Sequence, residues 1–211
     1  MNTGFSAPSP SSRSRRASRQ GVGFQDRGNV VRLDRNEDPE GWSPQLFHKF
    51  TASLTPIDVA AYPDPTRLTD SLSRALEVPR ECLIITSGST EGLRLIFETF
   101  GHSRTSVVRM SPSYSLLGLY ELVENCDLKD IAFEQDRPES DSWEQLVHVA
   151  KSTPKSLVVL VNPDQPSGTV RSFQEVRLLA DACQTSGSLL VVDEAYHLFG
   201  APSAQPLLKT H

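Results

Sequence analysis

Residues 157–169 read LVVLVNPDQPSGT. Five consecutive apolar residues suit a strand buried on both faces, as in a parallel sheet covered by helices. The run stops at Asn162, and the two prolines and the glycine behind it are turn formers. Two readings of that stop are open. It is an ordinary Asn-Pro turn, or Asn162 stands at the carboxyl edge of a parallel sheet, where open α/β folds hold their ligands.

The rest of the chain carries the same pattern. From about residue 83 onward, short apolar runs alternate with helical periodicity, the sequence sign of a parallel sheet with crossover helices. LIIT from 83, SVVRM from 106, LVVLV from 157 and LLVV from 189 are the predicted strands. Leu93, Ile96, Phe97 and Phe100 recur at helical spacing, as do Leu116, Leu119, Tyr120 and Val123. Trp143, Leu146, Val147 and Ala150 repeat the spacing, and so do Val176, Leu179, Ala180 and Cys183. Ser142 with Gln145, and Ser172 with Glu175, predict capping boxes that satisfy first-turn amides. Residues 29–66, rich in Pro and Asp, read as an extended arm with a short helix around 44–50, leading into a helix near 67–77. The expected fold is α/β, a mainly parallel sheet with crossover helices occupying 67–211.

Composition bounds the function classes. A chain of 211 residues with 37% apolar and 22% charged residues is a soluble globular protein of one large domain or two small ones. Residues 1–25 carry Arg13, Arg15, Arg16 and Arg19, no acid, and many Ser, Pro and Gly, so 1–28 is expected to form a tail without a core. An Arg- and Ser-rich start also fits an organelle transit peptide. The chain total of −5 leaves −9 for the remainder, which argues against nucleic acid as a partner. No apolar run approaches a membrane span, and there is no hydrophobic core of a secretory signal. Cys82, Cys126 and Cys183 form no C-x-x-C pair, and His48, His102, His148, His197 and His211 show no metal spacing. Neither a disulfide framework nor a metal is expected, and a reducing, cytoplasmic location is.

In a parallel sheet the residues that follow each strand meet at one edge. After LIIT comes Ser87-Gly88-Ser89-Thr90-Glu91, a small-residue turn opening a helix. It is a plain cap or a helix N-terminus that holds a phosphate. After SVVRM comes Ser111-Pro112-Ser113-Tyr114, whose ring could stack on a flat cofactor or pack at the sheet edge. After LVVLV comes Asn162, and after LLVV come Asp193, Glu194, Ala195 and Tyr196. An acid behind a buried strand is costly unless a cation or hydrogen bonds meet it. Phosphate cradle, ring, amide, carboxylate and phenol together describe a phosphorylated planar heteroaromatic with one basic nitrogen. Pyridoxal phosphate fits: the carboxylate keeps its pyridine nitrogen protonated, while Asn162 and Tyr196 can hydrogen-bond its phenolic oxygen.

These residues resemble a known family. NPDQPSG at 162–168 is similar to the N-P-x-x-P-[TS]-G signature of fold-type I pyridoxal-phosphate aminotransferases, and DEAY at 193–196 is similar to their aspartate motif. YPDP at 62, TSGSTEGL at 86, SPSY at 111 and LDRNEDP at 33 resemble blocks of the histidinol-phosphate aminotransferase branch, in family order over roughly 30–200. The resemblance implies that Ser89 and Thr90 bind the phosphate and Tyr114 stacks on the ring. It further implies that Asn162 and Tyr196 hold the phenolic oxygen and Asp193 pairs with the ring nitrogen. Tyr62 would reach the phosphate in a partner subunit of a homodimer, and Asn36 would lie near an amino-acid or 2-oxo-acid substrate.

The Schiff-base lysine of that family, which also moves the substrate's α-proton, lies beyond a further helix and strand. Here only Lys209 follows Asp193, and QPLLKTH lacks the Ser- and Thr-rich surroundings. A crossover alone takes a dozen or so residues, which leaves Lys209 short of that position. No catalytic residue is therefore assigned. The chain is expected to be an N-terminal portion of the large cofactor domain, incomplete at its C-terminus. Two functions follow: an aminotransferase described by its family's activity, or a non-catalytic protein of the same fold. A dinucleotide-binding domain is disfavoured, since no G-x-G-x-x-G follows a strand.

Overall fold

The computed structural model describes residue 38, residues 40–133 and residues 139–211. The start at 1–28, the first part of the arm and Asn36 lie outside the described residues. The chain falls into two compact units that divide between Ile85 and Thr86.

The first unit contains helices α1 (Pro44–Ser53), α2 (Pro56–Ala60) and α3 (Thr66–Leu76); α1 and α3 lie close to the expected helices, whereas α2 falls where extended arm was expected. At the start of α1 the Ser43 hydroxyl accepts the Leu46 N–H at 3.3 Å. Pro44 sits where no helical N–H is needed. No residue of α1 is buried. Trp42, Leu46, Phe47 and Phe50 are 57%, 51%, 57% and 47% exposed.

The second unit runs α4 (Gly88–Phe100), β1 (Ser106–Ser111), α5 (Ser115–Glu124), β2 (Asp127–Ala132), α6 (Glu139–Ser152), β3 (Leu157–Val161), α7 (Phe173–Ser186) and β4 (Leu189–Asp193). Every strand pair is parallel, in the order β2-β1-β3-β4. Alternation along β3 explains its unbroken apolar run. Leu157, Val159 and Val161 pack with Leu93 and Phe97 of α4 and Leu117 of α5. Val158 and Leu160 pack with Leu146 of α6 and Val176, Leu179 and Cys183 of α7. Helices thus cover both faces, and β3 has no polar side to show. The chain steps outward from β1 to β2, then returns past β1 to β3. The carboxyl ends of β1 and β3 therefore flank a reversal of strand order, where such sheets open a crevice.

Several sequence expectations are corrected. LIIT at 83–86 joins no strand among the described residues, and Ile84 and Ile85 are 75% and 39% exposed. An apolar run becomes a strand only where a neighbour accepts its ladder. The fourth strand is instead β2, DLKDIA, at the sheet edge, where only Ile131 is buried and charged residues are tolerated. Ser142 is not a cap. It lies inside α6, and its hydroxyl donates to the Ala132 carbonyl at 3.1 Å, tying the helix to the end of β2. Ser172 does cap α7: Glu175 N–H reaches the Ser172 hydroxyl at 3.3 Å and Ser172 N–H reaches the Glu175 carboxylate at 2.8 Å. The inward stripe of α5 is turned from the expected one, with Leu116, Leu117 and Glu121 buried and Val123 40% exposed. Arg109 of β1 draws Glu121 inward at 2.7 Å.

Candidate cofactor site

The site is built from the turn that opens α4 and the turns that leave β1, β3 and β4. At the first residue of α4, Gly88 has φ +77, a left-handed conformation that favours glycine. Its N–H donates to the Thr86 carbonyl at 2.8 Å, folding the turn back, and the Glu91 carboxylate accepts the Ser87 N–H at 2.5 Å. The amides of Ser89 and Thr90 stand in the first turn of α4, where the helix favours an anion. Thr90 is also gripped from α5. Its Oγ1 lies 3.1 Å from the Tyr114 hydroxyl, and its carbonyl accepts the Tyr120 hydroxyl at 2.9 Å. Two residues singled out in separate motifs, Thr90 and Tyr114, are therefore in contact.

Tyr114 ends the turn after β1, immediately before α5. Ser113 beside it donates its hydroxyl to Asp164 Oδ1 at 2.8 Å, in the turn after β3. The Ser111–Pro112, Asn162–Pro163 and Gln165–Pro166 peptides are cis. Asn162 is 1% exposed. Its N–H donates to the Asp193 carbonyl at 2.9 Å, which brings the ends of β3 and β4 together. Its side chain closes the turn, with Oδ1 accepting Arg171 N–H at 2.8 Å and Nδ2 donating to Arg171 C=O at 3.1 Å. The Tyr196 hydroxyl instead meets Gln165, donating to Oε1 at 3.4 Å. Gln165 sits within the motif already singled out, so its position in sequence was in view, but its pairing with a tyrosine 31 residues on was not.

Asp193 is buried, and one carboxylate oxygen accepts Ala195 N–H at 3.0 Å. Burial pushes its carboxyl above the ordinary range. The Ala195 N–H opposes that rise, and the neighbouring Glu194 charge adds to it. Among the described residues no cation bonds this carboxylate. Glu194 is occupied otherwise, accepting the Ser203 hydroxyl at 2.8 Å and the Ala204 N–H. A protonated ring nitrogen is the kind of partner that Asp193 lacks, and the residues present thus fit the predicted cofactor chemistry.

Ser89, Thr90, Tyr114, Asn162, Asp193 and Tyr196 all lie in the second unit. Tyr62 lies in the first and is 99% exposed. Lys209 is exposed in a 3₁₀ turn, Gln205–Lys209. A cavity of about 440 Å³ between α7, β4 and that turn is lined by Cys183, Leu190, Val192 and Leu207 and shares only Glu194 with the DEAY motif. It is separate from the polar edge.

Comparison with known proteins bears on this edge. The family model described as aminotransferase class I and II matches residues 59–210. A histidinol-phosphate aminotransferase of Desulfitobacterium hafniense (strain DSM 10664 / DCB-2) is 31% identical over 181 residues, covering 83% of this chain and 49% of that protein. One from Chromohalobacter salexigens is 31% identical over 193 residues, covering 89% and 51%. The solved histidinol-phosphate aminotransferase of Sinorhizobium meliloti, in complex with pyridoxal-5'-phosphate, superposes with a TM-score of 0.63 at 27% identity, covering 77% of this chain and 43% of that one. The chain spans about half the length of the curated relatives it matches.

Proposed function

The chain belongs to the aminotransferase class I and II family, and from that membership we propose that it works as a pyridoxal-phosphate-dependent aminotransferase of the histidinol-phosphate type. Its substrates are an amino acid or amino-phosphate and a 2-oxo acid. The observation that carries the reading is Asp193, a buried carboxylate at the end of β4 whose pKa is raised and which lacks a cation among the described residues.

Bound pyridoxal phosphate supplies an electron sink that makes the α-hydrogen of a joined amino acid acidic. The residues of this chain hold and orient it. Asp193 accepts the ring N–H and keeps that nitrogen charged. The first-turn amides at Ser89 and Thr90 take the phosphate, helped by the α4 dipole. Tyr114, its hydroxyl 3.1 Å from Thr90 Oγ1, would stack on the ring. Tyr196 and Gln165 stand together for the phenolic oxygen, and Asn162 supports them by closing the 162–171 turn, with one further Nδ2 hydrogen to offer. Asn36 near the substrate, and Tyr62 across the interface of a homodimer, complete the reading. Three free cysteines, Cys82, Cys126 and Cys183, agree with a cytoplasmic location.

These 211 residues alone are expected to hold cofactor without turnover. Lys209 lies sixteen residues after Asp193, in a turn rather than beyond a further crossover. General acid–base help at the α-carbon is worth about 10²- to 10⁴-fold in rate, and no group is assigned to it here. The test incubates the chain with cofactor, glutamate and a 2-oxo acid, then treats it with borohydride and digests it. No sustained turnover and no reduced adduct are expected. Turnover, or an adduct mapped to Lys209, would overturn the inactivity.

A further inference from the structure

We propose that Asp164 is a positioning residue that latches the turn carrying Tyr114 to the turn carrying Asn162 and Gln165, and so sets the gap that receives a planar ring. The proposal rests on the cofactor reading above. Asp164 does two separable things. Within its own turn its N–H donates to Thr169 C=O at 2.9 Å, its C=O accepts Gly168 N–H at 2.9 Å and its Oδ2 accepts the Ser167 hydroxyl at 2.7 Å. Those bonds close residues 164–169 upon themselves, and no second loop is needed for that. Its Oδ1, however, reaches out of the turn to the Ser113 hydroxyl at 2.8 Å, 51 residues earlier in the chain.

Ser113 immediately precedes Tyr114, and the Tyr114 hydroxyl lies 3.1 Å from Thr90 Oγ1. The tyrosine is thus held at its far end by α4, and the residue before it, Ser113, is held through its hydroxyl by Asp164. The two linked turns leave β1 and β3, the strands that flank the reversal of strand order. A void of about 40 Å³, lined by Pro112, Ser113, Phe133, Ser167, Thr169 and Arg171 among others, lies beside the latch. Packing on that side therefore does not fix the separation of the turns by itself. A hydroxyl donating to a carboxylate is a strong, directional link for the purpose.

Four variants of the 211-residue chain separate the two roles: Ser113→Ala, Ser167→Ala, Asp164→Ala and Asp164→Asn. Three readouts are taken: affinity for pyridoxal phosphate, the visible circular dichroism induced in the bound ring, and amide hydrogen exchange of 111–114 and 162–169 without cofactor. Ser113→Ala and Asp164→Ala are expected to weaken binding about tenfold, alter the induced band and speed exchange in both turns together. Ser167→Ala should act on 162–169 alone. Asp164→Asn keeps an acceptor for Ser113 and is expected to recover affinity to within about threefold of wild type. A Ser113→Ala chain with wild-type affinity, band and exchange in 162–169 would overturn the proposal, leaving Asp164 a turn former. If wild type takes up no cofactor, the functional reading fails instead, and the exchange data still decide the latch: coupled loss of protection supports it and loss confined to 111–114 overturns it.

Discussion

Asp193 links stability to function at the scale of a single residue. Burial raises its carboxyl above the ordinary value of about 4. A carboxyl with a raised folded-state pKa binds its proton more tightly when folded. The stability this confers is full below the unfolded value and is lost as pH rises through the folded one. Folding therefore loses stability as pH rises through that raised value. Asp193→Asn is expected to raise neutral-pH stability by about 1–2 kcal/mol, with the gain vanishing near pH 4. Thermal melts at the two pH values check this, and a less stable variant at neutral pH would mean that the carboxylate is already well paired. Asp193 was legible because an acid directly behind an apolar strand is unusual. The partner of Tyr196 was not legible: Asn162 and Gln165 share one motif, and only the closed turn reveals that the Asn162 amide is engaged with Arg171.

Strands and helices were legible where both flanks are apolar, and illegible where a polar partner decided the outcome. β3 and α7 follow directly from LVVLV and from the Ser172 box. β2 did not, because an edge strand buries only Ile131 and its charges mask the period. The stripe of α5 was misread for a related reason. Arg109 on β1 holds the buried Glu121 at 2.7 and 3.3 Å and the more exposed Asp130 of β2 at 3.2 Å, and this buried Arg109–Glu121 pair rather than apolar spacing sets the helix's rotation. Removing one partner strands a buried charge. Arg109→Met is expected to cost about 3–5 kcal/mol in urea denaturation, whereas Arg109→Met with Glu121→Leu should return to within about 1 kcal/mol of wild type. Equal losses in the single and double variants would show that the cluster does not fix α5 through charge.

For the whole molecule, the apolar stripe of α1 is left exposed among the described residues. Trp42 and Phe50 stack edge-on with centroids 5.5 Å apart, yet both remain about half exposed. The homodimer proposed above would cover them, and on that proposal light scattering is expected to find a dimer that Phe47→Asp with Phe50→Asp converts to monomer. A wild-type monomer at micromolar concentration would remove that part of the account. The proposed cofactor site draws on motifs scattered from residue 86 to residue 196, all in the second unit. Equilibrium titration of the chain with pyridoxal phosphate, followed through the absorbance of the bound ring, tests it most directly. Saturable, reversible binding at one site per chain is expected, weakened at least about tenfold by Asp193→Ala. Absence of saturable binding, or equal affinity in wild type and Asp193→Ala, would contradict it.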